Sequence, residues 1–269
     1  MSEFLQRELR AVGKPVHRLG LAMSFGIDAG GVRAAVDRGL NYFFWPEAKS
    51  GTGRILKDVM GKERDRFVIA TGPTIGYFAG NVRRSAERAL RKLGTDYLDV
   101  FHLFWVGRTS ALTESTLREL VALKESGKAR AIGVSIHDRP RAGKLAAESP
   151  LDLFMIRYNA AHPGAERDIF PHLEKRRPSV VAYTATAWRR LLSAPGGWTG
   201  KTMTAGDCYR FCLSSPHVDV TLCGPKNQAE LEENLAALDK GPLAADEEAW
   251  IRDYGKGVHG KAVVRLGLG

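Results

Sequence analysis

Residues 82–105, VRRSAERALRKLGTDYLDVFHLFW, carry in one stretch the pattern from which the fold of this chain is read. Val82, Ala86, Ala89, Leu90 and Leu93 recur three or four residues apart, which makes one apolar face of a helix. Gly94 follows, where a left-handed helix end costs little only for glycine. After a short polar turn comes VFHLFW, an apolar and aromatic run that suits a buried strand. Helix, glycine, turn, strand is the repeating unit of a parallel sheet.

The same alternation extends outward in both directions. Seven further strands are expected, at HRLGLAM near 17, NYFFW near 41, FVIAT near 67, AIGVSI near 131, FMIRYNA near 154, SVVAYTA near 179 and VTLCGP near 220. Amphipathic stretches separate them, among them GVRAAVDRGL, GRILKDVMG, TESTLRELVALKESGK, RPRAGKLAAES, GAERDIFPHLEK, AGDCYRFCLSS and NQAELEENLAALD. No linker interrupts the series, so residues 1–269 read as a single domain of the α/β class, a (β/α)8 TIM barrel, with a C-terminal helix and tail from about 240. In such barrels the carboxyl ends of the strands hold the active site, and the loops after strands seven and eight frequently bind phosphate.

The composition fits a globular chain: 269 residues, 44% hydrophobic and 26% charged. The formal net charge of +10 would suit a polyanion. Its basic residues, however, are spread over NVRRSAERALRKLG, LEKRRPS and WRRLLS among acids, so nucleic acid is not an expected partner. No run approaches the roughly 20 apolar residues of a membrane helix, and MSEFLQRELR is too charged for a signal peptide, so a cytoplasmic protein is expected. Cys208, Cys212 and Cys223 lack CxxC spacing, and no HxH or HExxH motif is present, so neither a disulfide framework nor a metal site is expected.

Phrases spread over nearly the whole chain carry a family resemblance. They are RGLNYFF, RFVIATG, the opening stretch, LKESGKARAIGVS, YNAAHPGAERDIFPHLEK, VVAYTATAWRRLL and GPKNQAELEENLAAL, in this order and spacing. Together they resemble the aldo-keto reductase superfamily. That resemblance implies a barrel that binds a nicotinamide dinucleotide and reduces carbonyls. It also implies an Asp ending strand two, a Tyr five residues later, a Lys ending strand three and a His ending strand four, with the Tyr as proton donor. The matching positions here are Phe44, Lys49, Gly72 and Phe104. Ordinary carbonyl reduction by that apparatus is therefore not expected.

Of the cofactor contacts the resemblance implies, those at the nicotinamide are partly changed. Ser135 is followed by Ile136 rather than Asn, and Met155 stands four residues before Asn159 in place of Gln. The ring-stacking tyrosine has its match in Tyr183. At the adenine end, Gly224, Lys226 and Asn227 lie at a strand-to-helix turn, where backbone N–H groups favour an anion, and Lys226 could reach a 2′-phosphate. Glu233 and Asn234 match the adenine contacts, so NADP(H) is the expected cofactor.

Chemistry displaced from the family positions has few places to go. Strand alternation points Tyr42 and His102 into the barrel beneath Phe44 and Phe104, either as a pair or as a satisfied Tyr and His of the core. At the rim, Glu47, Lys49, His137, Tyr158, Asn159 and His162 are the available polar groups. Lys49 and His137 are the catalytic candidates, a lysine in apolar surroundings and a histidine titrating near neutral pH. Against these stand an exposed loop lysine and a histidine that merely opens the loop HDRPR. Phe44, Trp45, Phe104 and Trp105 would line a pocket for a small aromatic or apolar molecule. Three readings stay open: an NADP(H)-linked enzyme with a mechanism unlike the family's usual one, a non-redox lyase, isomerase or hydrolase at the barrel mouth, and a catalytically silent binding protein.

Overall fold

The computed structural model describes residues 3–47 and 50–266. Eight parallel strands close into a barrel: β3 (Leu19–Ala22), β4 (Tyr42–Phe44), β5 (Val68–Thr71), β6 (Leu98–Val106), β7 (Ala129–Ile136), β8 (Leu153–Arg157), β9 (Ser179–Tyr183) and β10 (Val220–Cys223), with β10 paired to β3. Before them, β1 (Gln6–Leu9) and β2 (Lys14–His17) form an antiparallel hairpin that the sequence reading did not anticipate. Its Leu9 and Val16 are fully buried and pack with Tyr42, Val68, Val100, Leu153 and Val220, so the hairpin plugs the barrel floor.

Helices α1 (Ala29–Asp37), α2 (Ser50–Met60), α3 (Ala79–Leu93), α4 (Glu114–Glu125), α5 (Arg139–Glu148), α7 (Ala205–Ser214) and α8 (Gln228–Leu238) surround the strands, with a short α6 (Ala165–Asp168) and a last helix α9 (Ala245–Leu266). In α3 the expected stripe is buried at Val82, Ala86, Ala89 and Leu93, and Gly94 caps it at φ +64°, its N–H donating to the Leu90 carbonyl. Asp28, Thr113, Asp138, Thr204 and Asn227 cap five helices by accepting backbone N–H bonds.

One expectation along the chain needs correction. GAERDIFPHLEK is not a full helix but α6 followed by a 3₁₀ turn, Phe170–His172, because Pro171 supplies no N–H and restrains the residue before it. The helix expected after 240 is present as α9, longer than its sequence suggested, and Ile251, Tyr254 and Val258 bury themselves against the barrel; the last residues lie outside those described.

Alternation along each strand decides what faces inward. Tyr42, Val100, Leu153, Met155 and Tyr183 belong to the interior cluster, while Phe43, Ile69, Phe101 and Phe154 pack outward under the helices. The inward residues at the carboxyl ends of the strands form the mouth.

Candidate functional site

Phe44 on β4 and Phe104 on β6 meet across the mouth with ring centroids 5.2 Å apart. Beneath them lies His102, its ring 5.8 Å from Phe44 and 4.9 Å from Phe104, both edge-on. His102 is fully buried, and neither ring nitrogen has a hydrogen-bond partner among the described residues, so the expected satisfied core histidine is not found. No hydrogen bond joins it to Tyr42. Burial pulls its pKa down to about 3, which makes it a neutral ring at neutral pH. Burial, and then Asp99, push the Tyr42 phenol well above its usual value.

Gly72, just past β5, is a position where nothing larger fits. A Cβ built there would stand 1.9 Å from the His102 carbonyl oxygen and 3.2 Å from the Phe104 ring. Sheet closure thus brings the β5 end onto β6, and no side chain can project from Gly72 without moving a strand.

Trp45 does not line the mouth. It is fully buried on the outer side, beneath α2, where a Cβ on Gly53 would come within 2.7 Å of its ring. It follows Phe44 and so points to the opposite face. Glu47 is also unavailable: its buried carboxylate accepts from Arg88 at 3.1 and 3.2 Å and from Lys92 at 2.7 Å. Tyr158 turns outward, donates to Glu166 at 2.6 Å and stacks on Phe211. Asn159 is fully buried, donating to the Thr184 carbonyl and accepting from His162 Nδ1. Lys49 lies outside the described residues.

His137 is brought to a partner that the sequence did not suggest. Its Nε2 lies 2.7 Å from the Tyr183 hydroxyl, with the two rings edge to face. Burial dominates at this phenol and pushes it up to about 12, against the opposing effects of Ser135, Arg157 and Trp105. Burial, with the charges of Arg157 and Arg108, holds His137 below its usual range. At neutral pH both partners are uncharged, and the pair can share or pass a proton without carrying a charge at rest.

From Phe44, Phe104, Met155 and Tyr183 a cleft of about 840 Å³ runs without interruption to the start of α8, where Gly224, Lys226, Glu233 and Asn234 line it. Ser135 lies on its wall. Asn234 is buried, yet its side chain hydrogen-bonds to no described residue. Asn227 stands at the expected strand-to-helix turn, its Oδ1 accepting the Glu230 N–H as the cap of α8. Glu230 in turn accepts the Lys226 N–H at 2.9 Å.

The sequence reading missed several cleft residues. The loop after β9 holds Thr184, Ala187, Trp188 and Arg189 at positive φ, from 49° to 68°; Trp105, which was expected at the pocket and does line the cleft, has φ 44°. None is glycine, and backbone of this kind costs about 1–3 kcal/mol per residue, which is stored where function needs it. Phe25, Trp188 and Trp105, exposed by 48, 64 and 41%, stand around the same rim. No composition signal marks such residues, since only the closed barrel gathers loops from β3, β6 and β9.

Among the described residues no helix is long and apolar enough to cross a membrane. Aldo-keto reductase YhdN of Bacillus subtilis (strain 168) is 26% identical over 167 residues, which cover 56% of this chain and 50% of that protein; the chain thus spans about half of its length. L-glyceraldehyde 3-phosphate reductase of Escherichia coli O157:H7 is 26% identical over 325 aligned positions, covering 93% of this chain and 92% of the relative. Among solved structures, aldo-keto reductase AKR11C1 from Bacillus halodurans in its holo form superposes with TM-score 0.76 at 19% identity, over 94% and 96% of the two chains. An aldo-keto reductase from Klebsiella pneumoniae in complex with NADPH does so with TM-score 0.76 at 24% identity, over 93% and 95%. These superpositions speak to the barrel. The model of the Aldo/keto reductase family matches residues 23–193, from the end of β3 past β9 and well over half of the sequence, and the chain therefore belongs to the aldo/keto reductase family.

Proposed function

We propose that this protein is an NADP(H)-linked oxidoreductase of the cytoplasm, acting on a small apolar or aromatic molecule with its proton chemistry moved away from the family's usual positions. The single observation that carries the proposal is the uninterrupted cleft from the aromatic mouth to the start of α8. Its length suits a dinucleotide better than a small substrate alone.

The residues present fit such a group. Asn234 offers a buried amide with no hydrogen-bond partner among the described residues, and Lys226 offers an ammonium at the cleft wall. Because Glu230 already takes the Lys226 N–H, a phosphate here would be held by the lysine side chain rather than by that backbone donor. Tyr183 presents its ring to the cleft as a flat wall. The bound dinucleotide supplies or accepts hydride.

Phe44, Gly72 and Phe104, which stand where the family's acid, lysine and histidine are expected, carry no exchangeable side-chain proton. They keep the mouth dry. The Tyr183 hydroxyl, hydrogen-bonded to His137 at 2.7 Å, is the proton donor this reading assigns, with His137 restoring its proton from Nε2 as Nδ1 takes one from water.

Titration of the purified protein with NADPH, read by calorimetry and by quenching of tryptophan emission, is the test. Micromolar binding, weakened about tenfold by Lys226→Ala and again by Asn234→Ala, is expected, since one hydrogen bond to a charged group is worth about 1.5 kcal/mol or more. Absence of binding at millimolar NADPH defeats the proposal. With binding in hand, Tyr183→Phe keeps the ring and removes the hydroxyl, so turnover of a responsive aromatic aldehyde or ketone should fall about 100-fold while NADPH affinity holds.

A second reading is favoured by the same three residues: a catalytically silent dinucleotide-binding protein. NADPH binding without hydride transfer across such a panel selects it. Turnover that does not depend on the dinucleotide selects a non-redox lyase, isomerase or hydrolase instead.

A further inference from the structure

β8 carries Leu153 and Met155 on its inward face, and the next residue of that row is Arg157, at the mouth. Arg157 is in register with Tyr183 of β9, while Ile136 of β7 is in register with Ile156, so His137 stands on its other side. The three side chains form a row on adjacent strands.

Arg157 is half-buried, yet it makes no hydrogen bond or ion pair with any described residue. Other arginines at comparable depth are all engaged. Arg64 holds Asp99 at 2.7 Å, Arg139 holds Asp168 at 2.9 Å, Arg210 holds Glu247 at 2.7 Å and Arg252 holds Glu166 at 2.9 Å. Arg18 donates to the carbonyls of Leu213 and Val218. Of the groups that act on Arg157, Arg139 is itself cationic, and the other is the Tyr183 phenol, uncharged at neutral pH. A partly dried guanidinium without an acceptor costs free energy unless a ligand supplies one.

We propose that Arg157 anchors an oxyanion, a carboxylate or a phosphate ester, carried by the substrate. The guanidinium fork matches either group in a bidentate way. Adjacent strands lie about 4.8 Å apart, so an oxyanion on Arg157 leaves the substrate's reacting oxygen within reach of the Tyr183 hydroxyl. The substrate class is then an aromatic or apolar carbonyl compound, or the corresponding alcohol, bearing one such acidic group. This rests on the reading of the mouth as a substrate site.

The test uses benzoate, phenyl phosphate and uncharged benzamide, titrated against the full chain by quenching of tryptophan emission, since Trp105 and Trp188 line the cleft. At least one anion should bind tenfold or more tightly than benzamide, and the tighter of the two identifies the group. Arg157→Met should erase that advantage and leave benzamide affinity unchanged, with Arg157→Lys retaining part of it. Melting curves verify that the variants are folded; if Arg157→Met is not, Arg157→Gln replaces it. Equal affinity for benzamide and both anions, or an advantage that survives loss of the guanidinium, overturns the proposal. NADPH titration of the same samples separates the two readings: NADPH binding without an anion preference defeats only the anchor, and the reverse defeats only the dinucleotide site.

Discussion

The floor and the mouth of this barrel are built on the same eight strands but treat polar groups in opposite ways. At the floor, the fully buried Asp99 accepts from Lys14 at 2.8 Å, Arg64 at 2.7 Å and the Ile69 N–H at 2.9 Å. Asp219, also buried, accepts from the Val180 N–H at 2.7 Å and from Arg7. At the mouth, His102 and Arg157 lack partners among the described residues, tryptophans face solvent and non-glycine residues adopt positive φ. Satisfied groups stabilise one end, and groups without partners among the described residues collect at the other.

Breaking the floor should have the largest effect on stability. Asp99→Ala leaves Lys14 and Arg64 without their carboxylate, and denaturant titration is expected to register a loss of about 3–5 kcal/mol. Because the cleft lies at the far end, NADPH affinity of the folded fraction should hold. A parallel loss of affinity in fully folded protein would mean that the two ends are coupled.

At the mouth, Gly72→Ala forces a methyl group against the His102 carbonyl and should destabilise the fold by about 1–3 kcal/mol in the same measurement. For the same reason Gly72→Lys should not restore family-type chemistry. A stable Gly72→Lys protein with raised carbonyl reductase activity would show that β5 and β6 yield more readily than their packing suggests.

A third effect, spread over several pH units, sharpens the comparison through its slope. Burial lowers the folded-state pKa of His102 from 6.5 to about 3, so the unfolded chain binds the extra proton first. Its contribution is fully present above about pH 6.5 and is lost as pH falls toward 3, at about 1.4 kcal/mol per pH unit. His102→Phe should flatten this part of the acid-stability curve. An unchanged slope would mean that the ring has an acceptor in solution.

Much of the fold was legible because its signals are local. The 82–105 stretch carries its own helix face, its own glycine stop and its own strand, and the structure repeats them. The inward direction of Phe44 and Phe104 also followed from strand alternation alone. That rule should equally have turned Trp45 away from the pocket, so its place was readable and was missed. The hairpin plug was less readable, since Gln6–Leu9 and Lys14–His17 are short, charged strands whose apolar residues matter only against the barrel floor.

By itself the sequence determined the barrel, the number and order of its strands, the family, and the presence of phenylalanine and glycine where acid–base side chains were expected. Those properties rest on periodicity, on glycine and on motifs within a few tens of residues. Only the tertiary structure decided that His137 and Tyr183, 46 residues apart, share a hydrogen bond, that Glu47 is locked by Arg88 and Lys92, and that Arg157 has no ion-pair partner among the described residues. Each of these depends on which side chains closure of the sheet brings within about 3 Å, a distance that no spacing along the chain specifies.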